Sequence, residues 1–251
     1  MKKTILLFGM IGMTLLLSSC LEEGSRNYEE TSVAYIAEDN ATGNIYGRTL
    51  SGRFITSSQM QLMSPGTLQF FRYSWTEERG STPVRTGASS TDVIYADNVV
   101  ISGEPVEINS VSLRMGQQPP VVETPTKFVA IDPPFYAGDN IYLGDHWIFQ
   151  YAYEAKKGES AVVDFYHVEN SDATNNEISI VIDINIEGTP EGTTVSTKSD
   201  LIALDMSDLR AMYEGTSTTS TKELKIKFKY YMKGSSQIVD SQIYRMTVKG
   251  D

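Results

Sequence analysis

The chain has 251 residues, 40% of them hydrophobic, and a formal net charge of −11 at pH 7. That length and apolar content are enough to bury one large core or two modest ones. The acidic balance repels phosphate backbones and anionic headgroups, so it argues against nucleic-acid binding. A single cysteine excludes an intramolecular disulfide, so the fold must be stabilised by its core.

The N-terminal segment has the features of a cleavable secretory signal. Two lysines form a short positive region, and the apolar stretch TILLFGMIGMTLLL follows them. The run LSSC then ends at Cys20 and resembles a bacterial lipobox. The resemblance implies cleavage before Cys20, diacylglycerol on its sulfur and acylation of the new amino terminus, for example by palmitate. Such acyl chains anchor a protein stably to a membrane lipid layer. The alternative is an ordinary secretory signal in which the cysteine has no role.

Acidic residues follow the cysteine directly. Glu22 and Glu23 resemble the acidic export tag of surface lipoproteins in Bacteroidetes, although Leu21 departs from the usual residue at that position. The alternative is a solvated tether with no targeting role. We therefore expect a lipid-anchored protein of the outer membrane, on either its periplasmic or its surface face.

The first strand group after the tether consists of short alternating runs separated by Gly, Asn, Asp and Ser clusters, a pattern typical of all-β proteins. Its aromatic run QFFRYSW carries apolar bulk on both faces, so one face is a candidate for exposure. Arg72, Tyr73 and Trp75 are the candidate ligand-binding residues, because aromatic rings beside a guanidinium can stack a ligand. A strand covered on both faces is the alternative.

The stretch GQQPPVVETPTKFVAIDPPF holds five of the nine prolines. Proline cannot donate to a ladder, so residues 116–134 are predicted to form an extended linker or a sheet-edge crossing. We place a domain boundary there.

The second strand group is more strongly patterned. EISIVIDINIE and ELKIKFKYYMK each put apolar residues on one face and polar residues on the other, as in antiparallel sheets with one buried face. The lysines of the second run are predicted to guard a sheet edge or to pair across strands with acidic residues. The only helix candidate is SDLRAMYEG, with Ser207 as its N-cap and Gly215 past its end.

The stretch HWIFQYAY places Trp147, Phe149 and two tyrosines on one face. If a hairpin pairs it with AVVDFYHV, Phe149 faces Phe165 and the aromatic stripe continues into an apolar stripe. That register predicts core. A register shifted by one residue would put Asp164 among the aromatics, and the stripe would then be a candidate platform for a ligand such as a sugar.

Residues for catalysis are scarce. His146 and His167 fall on opposite faces in the predicted register, so they should not share a metal, and the sequence contains no nucleophile, zinc or phosphate-binding motif. We expect no catalytic residue, no metal and no cofactor. A carboxylate pair that forms only in three dimensions, as in a glycoside hydrolase, stays open.

Three stretches of the second half, AGDNIYLGDHWIFQYAY, LIALDMSDL and ELKIKFKYY, resemble segments of the NigD-like lipoproteins of Bacteroidetes. The resemblance covers about half of the chain beyond the signal, and it implies an OB-fold-like N-terminal domain followed by a C-terminal β-sandwich. The family's name implies a link to bacteriocin immunity. Its motifs are structural and nominate no catalytic residue.

Together these observations predict an all-β protein: a small OB-like β-barrel, then an antiparallel β-sandwich with one short helix. We expect a non-catalytic envelope protein that binds a protein or glycan partner. A structural or adhesive surface subunit is the first alternative, and a glycoside hydrolase with paired carboxylates is the second. The predicted segments are a signal peptide (1–19), an acidic tether (20–30), an OB-like β domain (31–115), a proline-rich linker (116–134) and a β-sandwich domain (135–251).

Overall fold

The structure is a computed structural model that describes residues 26–86, 92–137, 142–168, 177–217 and 219–250. Within these ranges the chain forms fifteen β-strands and a single α-helix, so the predicted all-β class is confirmed. The predicted signal peptide, Cys20 and the start of the acidic tether lie outside the described residues.

The first seven strands form one mixed sheet, in the order β5-β6-β3-β2-β1-β4-β7. The long strand β1 pairs with β4 over its first part and with β2 over its last part. The sheet curls around an apolar core. The strands are β1 (Asn27–Glu38), β2 (Ile45–Thr49), β3 (Phe54–Thr56), β4 (Leu68–Thr76), β5 (Ser81–Arg85), β6 (Val93–Asn98) and β7 (Val100–Glu107).

The N-terminal sheet does not close into a barrel, which corrects the predicted OB-like barrel. The strand β3 has three residues and pairs with β6 only at Ile55 and Thr56. On the other side β7 pairs with β4. The edge strands are β5 and β7, and no ladder joins them; β7 follows β6 in the chain through Val99. The N-terminal sheet is curled, but it is not a closed barrel.

The second half of the chain is a two-sheet sandwich around the largest hydrophobic cluster. One sheet has the order β8-β13-β10-β9 and the other the order β11-β12-β14-β15. Most neighbours are antiparallel, but β12 and β14 are parallel, as are β13 and β8. The elements are β8 (Ser110–Ser112), β9 (Ala130–Ile131), β10 (His146–Lys156), β11 (Glu159–Val168), β12 (Glu177–Gly188), β13 (Val195–Asp205), α1 (Ser207–Tyr213), β14 (Thr221–Tyr231) and β15 (Ile238–Lys249).

The strand β10 carries the aromatic stripe, and its predicted pairing with β11 is wrong. It pairs with β13 on one side and, at Tyr151 and Ala152, with β9 on the other, whereas β11 pairs with β12 in the opposite sheet. The turn after β10 instead carries the chain across to the opposite sheet. The prediction that the stripe is core is correct, because Trp147 and Phe149 are each only 2% exposed. Phe149 and Phe165 do meet, with ring centroids 5.4 Å apart, but they do so across the sandwich interior.

The patterned strands and the helix lie where the sequence places them. The alternate isoleucines of β12 from Ile178 to Ile184 are buried in the sandwich core. The helix α1 begins at Ser207, whose backbone N–H donates to the Asp205 carboxylate at 2.9 Å. Asp205 therefore satisfies one N–H of the first turn; the N-cap residue is Met206, and Ser207, the predicted cap, is the first helical residue.

A third cluster joins the two halves. Val33, Leu68 and Ile108 from the first half pack with Leu143 and Ile148 from the second. Ile148 lies on the face of β10 opposite the aromatic stripe, so β10 is buried on both faces. The predicted domain boundaries stay predictions. Within the proline-rich segment, residues 116–134, the chain forms β9 and buries a phenylalanine in the sandwich core.

Candidate binding groove

The three residues predicted to bind a ligand have different environments. Tyr73 is fully buried in the N-terminal core, and its predicted role in ligand binding stays a prediction. Arg72 projects from the opposite face of β4 and forms an ion pair with Glu29. Trp75 is half-buried at the end of the same face as Tyr73. Ligand binding by Arg72 and Trp75 stays a prediction.

Neighbouring side chains cover Trp75. Tyr28 stacks on it with ring centroids 5.2 Å apart, and the Arg53 guanidinium carbon lies 4.1 Å from the ring centroid. Arg53 is held in turn by Asp97 at 3.1 Å and by Glu30 at 3.9 Å. These contacts cover the open end of the curled sheet, on the face of β4 that carries Tyr73. The aromatic surface predicted in this half is therefore already occupied by the chain itself.

The second half of the chain contains a small, partly open groove. It lies between the segment that follows β9 and the first half of β15, and its volume is about 260 Å³. The floor is aromatic and the rim is mainly polar. The floor residues are Phe149, Phe228, Tyr230 and Tyr244; the rim residues are Ile131, Asp132, Pro133, Pro134, Asp240, Ser241 and Gln242.

One wall of the groove exists because of two prolines. The backbone N–H of Asp132 donates to the carbonyl of Gln150 at 2.9 Å, and pairing with β10 resumes at Phe135, which bonds to Ile148. Pro133 and Pro134 lie between them and have no N–H to donate. The ladder beside β10 is therefore interrupted next to Phe149, and the gap opens onto the aromatic floor.

The other wall is formed by a β-bulge in β15. Lys227 pairs with Ile243 and Lys229 pairs with Asp240, so two residues of β15 stand opposite Phe228. The Ser241 hydroxyl accepts the Phe228 backbone N–H at 2.9 Å, which satisfies the donor that the bulge displaces. Bulges bend an edge strand and redirect its side chains, and they are frequent beside functional sites.

The groove combines neutral hydroxyls with carboxylates. Burial raises the pKa of the Tyr230 and Tyr244 phenols, so both can donate hydrogen bonds at physiological pH. Asp132 is exposed at the rim. The Asp240 carboxylate is 3.9 Å from Lys227, which also pairs with Glu177 at 3.0 Å. Such a site can pack an apolar or sugar face on its floor and hydrogen-bond polar groups at its rim.

A second carboxylate pair lies outside the groove, on the outer face of the sheet β11-β12-β14-β15. Asp164 and Asp183 are direct cross-strand partners. Arg114 neutralises Asp164 through a 2.7 Å ion pair, and Asn185 donates to Asp183 at 3.0 Å. Burial, followed by the charge of Asp164, raises the pKa of Asp183. The pair therefore stands on a sheet face and not in a cleft.

Metal-binding geometry is absent from the part of the chain that the structure describes: no group of three or more His, Cys, Asp or Glu side chains could hold an ion. His146 and His167 are both buried, and the Nδ1 atom of His146 is 3.0 Å from the carbonyl oxygen of Leu143. Likewise, no helix within the described ranges is long and apolar enough to cross a membrane.

The groove was missed at the level of sequence. The available signal was Pro133-Pro134 placed just before the aromatic strand β10, because consecutive prolines mark an interrupted edge. The bulge in β15 has a weaker signature: Asp240, Ser241 and Gln242 are three consecutive polar residues, which interrupt the alternation of the strand.

Comparison with known proteins gives a shared fold. No protein-family model and no curated protein matches the chain. An uncharacterized protein from Parabacteroides merdae aligns with a TM-score of 0.53 at 11% identity, covering 88% of this chain and 100% of that chain. A protein from Bacteroides fragilis, predicted to be a lipoprotein, aligns with a TM-score of 0.51 at 10% identity, covering 88% of this chain and 99% of that chain.

A NigD-like immunity protein from Bacteroides caccae is also among the similar structures, with a TM-score of 0.48, 11% identity and coverage of 87% of this chain and 96% of that chain. That neighbour bears the family name that the sequence resemblance suggested. At these identities the comparisons speak for the fold alone. The chain shares its overall fold with the proteins from Parabacteroides merdae and Bacteroides fragilis.

Proposed function

We propose that this chain is a non-catalytic binding protein of the cell envelope, and that the groove between β9 and β15 holds part of its partner, a protein or a glycan. The observation that carries the proposal is a groove of about 260 Å³ with a polar rim, in which Tyr230 is the partly exposed aromatic side chain and Phe149, Phe228 and Tyr244 form the buried base. Large aromatic rings supply contact area at low entropic cost, and rim groups fix orientation.

The proposed location is the outer membrane, through lipid on Cys20. Support comes from the lipobox-like run before Cys20 and from the structural neighbour predicted to be a lipoprotein. Labelling cells with radioactive palmitate tests this directly. The full chain should take up label, whereas the Cys20→Ser variant should not and should leave the membrane fraction. Equal labelling of both variants would contradict the anchor.

Partner binding is tested by filling the groove from its rim. Gln242 is exposed and lines the groove, so Gln242→Trp should place an indole over the floor without disturbing the core. Gln237→Trp is the matched control, because Gln237 is exposed just before β15 and does not line the groove. Both variants and the parent are screened on an array of bacterial surface glycans and against solubilised outer-membrane proteins.

We expect an interaction of the parent protein that Gln242→Trp weakens and Gln237→Trp leaves unchanged. An interaction that both variants retain would place the partner elsewhere on the molecule. The proposal of a binding groove would then be wrong.

A glycoside hydrolase is the second candidate, because two carboxylates, Asp132 and Asp240, line the same groove. Paired carboxylates are what such hydrolysis requires. The parent protein, Asp132→Asn and Asp240→Asn are assayed with a panel of nitrophenyl glycosides. We expect no turnover by any of them. Turnover by the parent that either substitution abolishes would replace the binding proposal with an enzyme.

A further inference from the structure

The outer edge of β15 is covered along its second half. The Arg245 N–H donates to the Tyr136 hydroxyl at 3.4 Å, Arg210 on α1 donates to the Thr247 carbonyl at 2.6 Å, and Gly215 donates to the Lys249 carbonyl at 2.9 Å. These contacts use the main-chain groups that an additional strand would need. No strand can add to this half without displacing them.

The first half of the same edge, residues 238–243, is open. None of the described residues makes a backbone hydrogen bond to its outer side. Because Arg245 and Thr247 direct main-chain groups outward, Ile243 comes next in the same alternation and directs its N–H and C=O outward too. The side chains of Ile238 and Ile243 are 40% and 44% exposed. The open half contains no lysine or proline; its bulge and Asp240 are the features that limit pairing along it.

The open edge and the groove are adjacent. Gln242 and Tyr244 line the groove and flank Ile243 in the chain. A strand laid along the open half would therefore pass the rim of the groove, and one of its inward side chains could reach the floor. This is the arrangement in which main-chain bonds supply affinity and a side-chain pocket supplies selectivity.

We propose that an extended segment of a partner protein adds as a fifth strand to the sheet β11-β12-β14-β15 along residues 238–243. The segment inserts one large apolar side chain into the groove and places basic residues beside Asp132 and Asp240. This inference rests on the proposed groove function and names the class of partner.

The chemistry of the edge defines that partner. Tyr230 is partly exposed in the groove and Ile243 is 44% exposed beside it, so an apolar side chain gains most from contact there. The rim carboxylates and the net charge of −11 favour lysine or arginine next to it. The bulge opposite Phe228 bends the edge, which disfavours flat pairing with a second copy of this chain. A flexible peptide can follow the bend.

The test begins with the full chain purified in detergent and a displayed library of random short peptides. We expect enrichment of peptides that alternate polar and apolar residues, with one large apolar residue next to Lys or Arg. Enriched peptides are synthesised with a fluorophore, and their dissociation constants are measured by anisotropy. A library that yields no such peptide overturns the proposal.

Two substitutions at one position separate main-chain pairing from side-chain contact. Ile243→Pro removes the outward N–H and blocks the edge, and it should weaken binding by at least about tenfold. Ile243→Thr keeps the N–H and a β-branched side chain, so its effect should stay within about threefold. Circular dichroism checks that both variants fold. Equal affinities of the Pro and Thr variants for the peptides would overturn the proposal.

A measurement on the peptide avoids any change to the protein. Two versions of the peptide are made, one N-methylated at its odd-numbered backbone amides and the other at its even-numbered ones. Only one version should lose binding, because only alternate amides of an added strand face β15. Insensitivity to methylation in both versions overturns strand addition. Mass photometry of the chain without peptide tests whether a second copy binds the edge instead. If the parent forms oligomers that Ile243→Pro dissociates, the edge binds a second copy of this chain, and the proposal is overturned.

Failure of the strand proposal and failure of the groove proposal are distinguishable. Peptide binding lost in Gln242→Trp but unchanged in Ile243→Pro would retain the groove and overturn strand addition. Binding lost in Ile243→Pro but unchanged in Gln242→Trp would place the peptide on the edge without the inserted side chain, and the inference as stated would be wrong.

Discussion

Two strands of this molecule carry similar alternating aromatics and use them differently. In β10, Trp147, Phe149 and the two following tyrosines of the stripe are all buried in the sandwich. In β4, Phe71 and Tyr73 are buried, but Trp75 reaches the mouth of the curled sheet, where Tyr28 and Arg53 cover it.

The difference comes from what lies opposite each stripe. The second sheet of the sandwich covers β10 along its whole aromatic face, with Phe165 and Phe228 against Phe149. The curled N-terminal sheet covers itself, and its interior ends where the curl opens at Trp75. Alternation in a sequence therefore assigns a side chain to a face, but it does not say what covers that face or how far the cover extends.

The largest expected effect follows from truncation in the sandwich core. Phe149→Ala removes a ring that contacts Phe165 and Phe228, and it should lower the free energy of unfolding by about 3–5 kcal/mol in urea titrations. Phe135→Ala, at a side chain that is 51% exposed, is the control and should change it by less than about 0.5 kcal/mol. Similar losses from both substitutions would contradict a buried stripe.

The two tryptophans test the comparison spectroscopically, because Trp75 and Trp147 are the only ones in the chain. We expect acrylamide to quench Trp75 in the Trp147→Phe variant several-fold more strongly than Trp147 in the Trp75→Phe variant. The reason is that Trp147 is enclosed by Tyr136, Phe228 and Tyr244, whereas Trp75 is half-buried. Equal quenching constants would place Trp147 at the surface and return the stripe to a binding role.

A smaller effect is expected from uncovering Trp75. Arg53→Ala removes the cation–π contact and two partly exposed ion pairs, which together should lower the free energy of unfolding by about 1 kcal/mol. It should also increase the quenching of Trp75. Arg72→Ala is the matched control, since Arg72 lies on the opposite face of β4, and it should leave the quenching unchanged. An unchanged Trp75 in Arg53→Ala would mean that Arg53 does not cover it.

The smallest effect concerns pH. Burial raises the pKa of Asp183 above 3.8, so the folded state favours the protonated carboxyl. That contribution to stability is present below pH 3.8 and is lost as the pH rises through the higher folded pKa. Asp183→Asn should therefore raise the melting temperature at neutral pH, by an amount equivalent to less than about 1 kcal/mol, and should match the parent in acid.

Thermal scans of the two proteins across this pH range give the comparison, with the exposed Asp92→Asn as a control for charge removal. A lower melting temperature for Asp183→Asn at neutral pH would have the opposite sign. It would mean that the ionised carboxylate stabilises the fold, for example through the bond from Asn185.

Local patterns carried most of the secondary structure. The alternation in β12 and β14 predicted their buried faces, and Ser207 and Gly215 as end signals around SDLRAMYEG predicted α1. The sequence was a poorer guide to which strands pair with each other. A short turn joins β10 to β11 in either arrangement, so the hairpin register looked consistent although the strands lie in different sheets. Apolar matching between Phe149 and Phe165 holds equally for neighbours in one sheet and for partners across a sandwich.

The candidate site shows the same limit. The residues nominated from one strand were Arg72, Tyr73 and Trp75, because a single segment can be inspected for aromatic and charged neighbours. The groove is instead assembled from Asp132, Phe149, Phe228 and Ser241, which four separate segments bring together. No spacing within one segment can announce such a set.

The sequence by itself determined the all-β class, the alternation of buried and wet faces, the acidic character and the lipobox-like run at Cys20. These follow from side-chain period and composition, which are local properties. Only the tertiary structure decided that β10 is covered on both faces, that the N-terminal sheet stays open, and that half of the β15 edge is free beside an aromatic groove. Each of these depends on which distant strands meet, and that outcome is set by the packing of the whole chain.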